Sequence, residues 1–104
     1  MRSQYKLVSV QPSVLARKKL IVTVSYFVDG VRREKHMSIG QRGADDYTTH
    51  KDDERKQRYI ARHQANEQWD SSGILTKGFW ARWLLWNMPT LKESIADVKK
   101  RFKL

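Results

Sequence analysis

Lys18–Val28 (KKLIVTVSYFV), then Asp29-Gly30, then Val31 to Ile39 (VRREKHMSI) is the stretch on which the fold turns. Its first part is rich in Val, Ile, Thr, Tyr and Phe, side chains that fit a pleated, half-buried surface. Alternation places Leu20, Val22, Val24, Tyr26 and Val28 on one face and Ile21, Thr23, Ser25 and Phe27 on the other. Asp29-Gly30 suits a type I′ hairpin turn, in which both central residues need positive φ. On the return strand Val31, Met37 and Ile39 share one face, and Arg32, Glu34, His36 and Ser38 share the other. Upstream, Gln4 to Val10 (QYKLVSV) predicts a short strand closed by Gln11-Pro12-Ser13. A proline lacks the amide hydrogen of a ladder and so marks a strand end or an edge. Three strands with short connections predict an antiparallel meander.

Beyond it the period changes. Gly40 to His50 (GQRGADDYTTH) reads as a loop, with Asp46 or Thr49 placed to cap the helix that follows. Lys51 to Gln68 has no Gly or Pro and opens on acidic residues that suit the positive end of a helix dipole. Tyr59, Ile60, His63 and Glu67 give it a narrow apolar stripe. Asp70-Ser71-Ser72-Gly73 breaks it. Thr76 to Asn87 (TKGFWARWLLWN) predicts a second helix, apolar round most of its circumference and therefore buried on several sides. Asn87-Met88-Pro89 ends it, and Thr90-Leu91-Lys92-Glu93 forms a capping box for a last helix from Leu91 to about Phe102. That helix carries one apolar stripe: Leu91, Ile95, Val98 and Phe102. The expected fold class is α+β, a small three-stranded antiparallel meander followed by two or three helices packed on one face. It forms a single domain over 1–104, with the sheet in 1–40 and the helices in 51–104.

The 104 residues hold 21 Lys+Arg against 11 Asp+Glu, a net charge of +10. The excess is even: residues 1–50 have nine basic and four acidic side chains, residues 51–104 twelve and seven. A uniform excess without a tail points to a folded body that meets acidic or polyanionic neighbours. No apolar run is long enough to span a membrane, and Met1 to Val10 lacks the apolar core of a signal peptide. With no cysteine, disulfide, thiolate–zinc and thiol-nucleophile chemistry are excluded.

Other chemistry finds no pattern. His36, His50 and His63 lack metal-ligand spacing, no serine sits in a nucleophile elbow, and Gly40-Gln41-Arg42-Gly43 lacks the Lys-Ser/Thr of a phosphate loop. The expectation is a non-enzymatic protein with no catalytic residue, metal, cofactor or small-molecule substrate. Two basic rows are the candidate contacts to a polyanion or an acidic partner. Arg55, Arg58 and Arg62 lie on one face of the first long helix, where pairs such as Asp52–Lys56 would otherwise make the surface self-compensated. Lys99, Lys100, Arg101 and Lys103 crowd the end of the last helix, where they also complement its dipole. Among the tryptophans, Trp80 and Trp83 are expected in the core. Trp69 and Trp86 are the candidate aromatic partner contacts.

One ordered set of motifs resembles a known family. It comprises Arg2-Ser3-x-Tyr5-Lys6-Leu7, Asp46-Tyr47-Thr48 with His50-Lys51-Asp52, and Glu54-Arg55-Lys56-x-x-Tyr59-Ile60-x-Arg62-His63. It continues with Phe79-Trp80-x-Arg82-Trp83-Leu84-Leu85-Trp86-Asn87-x-Pro89-Thr90-Leu91 and Ser94-Ile95. The set is similar to a family of short basic proteins encoded by large nucleocytoplasmic DNA viruses of algae and protists. The resemblance implies a viral context and no enzymatic activity. It suggests a minor capsid, or cementing, protein of the virion, made in the host cytoplasm and seated against other viral capsid proteins. The alternative is a basic nucleic-acid-binding protein that holds phosphates.

Overall fold

β2 (Lys18–Val28) is the central strand of an antiparallel sheet ordered β1-β2-β3, with β1 at Lys6–Pro12 and β3 at Val31–Gln41. The computed structural model describes residues 4–104; Met1, and Arg2 and Ser3 of the first family motif, lie outside these. Asp29 (φ 51°) and Gly30 (φ 78°) form the type I′ turn, and Val28 pairs with Val31 across it. β1 starts two residues later than expected and runs through Pro12, which the strand tolerates because its outer side is a sheet edge. A bulge between Leu7 and Ser9 breaks the β1–β2 register. The bulge, Lys6 and Pro12 are the devices that keep an edge strand from pairing indiscriminately.

Six further elements follow. They are α1 (Tyr47–His50), α2 (Asp53–His63), a 3₁₀ turn (Ser71–Gly73), α3 (Lys77–Trp80) continuing as a π-helical turn (Ala81–Leu85), and α4 (Leu91–Phe102). The segment 40–50 is thus not all loop. Asp46 and Thr49 make a reciprocal capping box that starts α1, while Lys51, at φ 55°, ends it. Lys19 pins Asp46 in place, and the Asp46 side chain is only 4% exposed. The helix expected from Lys51 begins instead after Asp52, whose carboxylate accepts the Glu54 and Arg55 amides. It ends at His63, short of the expected Gln68.

The core lies between one sheet face and the helices. Val22, Val24, Met37 and Ile39 meet Phe79, Trp80, Leu84 and Val98 there, all almost fully buried. Thr23 and Ser25, on the opposite face of β2, are also buried; the Thr23 hydroxyl bonds His36 Nδ1 at 2.8 Å across the β2–β3 pair. Val28 and Val31 have the expected parity but are exposed, because the hairpin tip runs past the helices that cover the rest of the sheet. The accessible surface is 6818 Å², against roughly 6,000 Å² for a compact chain of this mass. The projecting hairpin and the 43 × 31 × 25 Å shape account for the difference.

The expected Thr76 to Asn87 helix is α3 plus the π turn, capped by the Thr76 hydroxyl on Phe79 N–H. Trp86 N–H reaches back to Ala81 C=O at 3.2 Å, five residues earlier. The wider turn lets Trp83, Leu84 and Leu85 all point into the protein. α4 matches its expected bounds. Its cap is half of the expected box: Thr90 accepts Glu93 N–H, but the Glu93 carboxylate takes the Thr90 hydroxyl instead of the Thr90 amide. Ser94, absent from the expected stripe, is fully buried because its hydroxyl accepts Met88 N–H at 3.0 Å.

Candidate anion-binding groove

The β1 edge, the outer face of the hairpin and the end of α4 enclose an open groove of about 920 Å³. Four cations line it: Lys6, Arg32, Lys99 and Lys103; among the described residues no carboxylate side chain does. Each is placed by a local rule. Lys6 pairs with Ser25 and so faces outward. Arg32 stands opposite Phe27 on the same outward face. Lys99 belongs to the last turn of α4, and Lys103 is its left-handed cap at φ 56°. That cap turns the chain back, so that Leu104 N–H bonds Lys99 C=O at 2.9 Å and the Leu104 side chain is buried. Arg32 is already paired with Glu34 at 2.9 Å. Lys6, Lys99 and Lys103 have no ion-pair partner among the described residues.

Between the cations the groove is apolar. Leu7 and Leu104 lie buried beneath it, while Val8 and Phe27 are 45% and 59% exposed on its outer wall. A phenylalanine left in water beside four cations is a recognition surface by composition: positive rim, apolar floor.

The expected contact residues separate. Lys99 and Lys103 enter the groove, and Lys100 is exposed beside it. Arg101 points elsewhere: its guanidinium bonds the Asp97 carboxylate at 3.2 Å and lies 4.6 Å above the Trp83 ring. The three arginines of α2 are outside the groove. Arg55 is half-buried, 3.9 Å from Asp45, while Arg58 and Arg62 are exposed and without an ion pair among the described residues. The Asp52–Lys56 pair does not form. Asp52 caps its own helix, and Lys56 donates to Asn87 C=O at 2.6 Å with its ammonium 4.7 Å over the Tyr47 ring. Lys6, Arg32, Val8 and Phe27 escaped the sequence reading. Phe27, alone and aromatic on a face with Thr23 and Ser25, was the available signal.

Trp69 and Trp86 are half-buried, their ring faces engaged within the molecule. Trp86 stacks on Tyr59 at 4.4 Å and 3°, with His50 tilted against it at 5.3 Å. Trp69 stacks more loosely on the same tyrosine at 6.2 Å, with Arg82 5.6 Å from its ring. This aromatic seam holds α2 to the π turn. His50 Nε2 and Trp69 Nε1 within it are buried without a hydrogen-bond partner.

Burial in the seam pushes the Tyr59 phenol from 10.0 up to about 12; Glu67 adds to the rise, and Arg82 and Arg62 oppose it. The sign follows from linkage: the folded state holds the phenol proton more tightly than the unfolded state does. The resulting stabilisation is complete below pH 10.0 and is lost as pH rises through about 12. Ultraviolet titration should therefore find one tyrosine ionising late, together with alkaline unfolding. Tyr59→Phe should remove the late phenolate signal.

The model of a family of unknown function (DUF5754) matches residues 8–63, from β1 through α2. That is more than half of the 104 residues, and the chain belongs to this family. No curated protein and no solved structure matches it.

Proposed function

We propose that this member of the family is a non-enzymatic structural protein. In this reading it is a minor capsid, or cementing, component of a virion that seats acidic parts of neighbouring capsid proteins. The groove carries the proposal: three unpaired lysines and Arg32 surround exposed Val8 and Phe27, with no carboxylate side chain among the lining residues described. An acidic protein segment with apolar side chains complements both features, whereas a phosphate backbone would use only the charge. The viral setting rests on the resemblance carried by the Trp-rich string. Among the described residues no helix is long and apolar enough to cross a membrane.

The test is placement in the particle. Cross-linking mass spectrometry of purified virions should join Lys99 or Lys103 to Asp- or Glu-rich stretches of capsid proteins. A shell that lacks the chain overturns the proposal. In solution, Lys99→Glu with Lys103→Glu should weaken binding to an acidic capsid segment by about tenfold or more. Both side chains are exposed, so thermal stability should stay within about 0.5 kcal/mol.

A second reading has its own observation. Arg58 and Arg62 stand exposed and unpaired on α2, spaced to meet successive phosphates. If duplex DNA is the partner, affinity falls steeply with salt, and Arg58→Glu with Arg62→Glu abolishes it while the groove variant does not.

A further inference from the structure

The groove borders something that charge alone does not use: β1 is an end strand. It pairs with β2 on one side, and no backbone hydrogen bond to its other side occurs among the described residues. We infer that the groove binds its partner as an added β-strand, an extended acidic segment that pairs with the free edge of β1 and sets its carboxylates against Lys6, Lys99 and Lys103. The inference rests on the acidic-partner reading above and adds the geometry of binding to it.

The chemistry on the two sides of that edge is what an extended strand would meet. Its side chains alternate between faces. On the outer face they would come beside Lys6 and Phe27, which the β1–β2 register places outward. On the inner face they would come beside Lys99, Lys103 and buried Leu104, where the left-handed cap of α4 presents them. A strand alternating carboxylate and apolar side chains therefore finds a cation and an apolar surface on either face. Main-chain hydrogen bonds would supply register, and charge would supply selection. The bulge between Leu7 and Ser9 ends regular pairing in that direction, and Pro12 removes a donor at the far end, so the compatible segment is short. Lys6 on the bare edge disfavours a second copy of this basic chain as the added strand.

The test uses the whole protein and three fluorescein-labelled probes. The first is a peptide alternating Glu and Leu over seven positions, the length of β1. The second is the same peptide with N-methylated backbone amides, which keeps the charge and removes the donors. The third is a short duplex DNA. Fluorescence anisotropy should show the first peptide binding at least tenfold more tightly than the N-methylated one, with Lys99→Glu/Lys103→Glu reducing the difference. A new amide I band of intermolecular β-structure, read on isotope-labelled peptide, should accompany binding. Equal affinity for the two peptides overturns strand addition but leaves an acidic partner in place. No binding of either peptide, with salt-sensitive binding of the duplex, overturns both.

Discussion

Replacing Trp80 by alanine is expected to remove about 3–5 kcal/mol of folding free energy. For a domain of this size that is much of the roughly 5–15 kcal/mol available. The indole is fully buried at the centre of the core. Phe79 packs edge-on against it at 5.0 Å, and its Nε1–H donates to Ile74 C=O at 2.7 Å. Alanine would leave a cavity where ring meets sheet and would orphan a carbonyl in an apolar setting, where an unmet hydrogen bond costs about 1–3 kcal/mol. Trp80→Phe separates the two effects, since it keeps most of the ring and loses only the donor. Urea unfolding followed by circular dichroism should rank wild type above Trp80→Phe and Trp80→Phe above Trp80→Ala. Equal midpoints for the two variants would mean that the hydrogen bond dominates and the packing is slack.

The second large effect is expected at Gly73. A β-carbon there would run into the carbonyl oxygen of Gln68, which is main chain and cannot swing aside. The residue is also tied at both ends. Its N–H donates to Asp70 C=O at 3.0 Å, and its own carbonyl accepts the Thr76 amide and hydroxyl at 2.9 and 2.7 Å. Relief would have to move the 3₁₀ turn that delivers Ile74 and α3 to the core. Gly73→Ala should therefore cost about 3 kcal/mol, at the upper end of overpacking penalties. Gly78→Ala is the control, because its new β-carbon would meet only the Glu67 carboxylate, the mobile end of a side chain. Thermal melts of the pair should place Gly73→Ala well below Gly78→Ala. A smaller loss at Gly73 would show that the 70–74 turn is plastic.

Where one rule governs an element, the sequence predicts it. β2 and α4 match residue for residue at their starts, because a β-branched run and an Asp-Gly turn bound the one, and a Thr cap and an apolar stripe bound the other. Where two rules compete, it does not. The Gly- and Asp-rich 40–50 segment looked like a loop, yet an Asp-x-x-Thr box is enough for one helical turn once Lys19, far upstream, neutralises Asp46. The π turn is likewise a tertiary solution, since no local preference asks for a hydrogen bond five residues long. The candidate site was half legible. Lys99 and Lys103 advertise themselves as a basic helix end, but their partners in the groove come from β1 and β3. Only the register of the sheet and the left-handed turn at Lys103 bring those together. The α2 arginines formed the denser row in the sequence and stand apart from it.

The π turn also governs which changes of chain length the molecule accepts. A helix turns about 100° per residue. Dropping one residue between Ala81 and Leu85 would restore regular spacing locally and rotate everything after it by about that angle. Trp86 would then face away from Tyr59, and the ring stack that docks α2 would lose its outer leaf. Point substitutions in this stretch act on packing one side chain at a time. A single-codon deletion acts as a gear slip, disengaging the sheet-and-α2 half that the family match spans from the Trp-rich half that follows it.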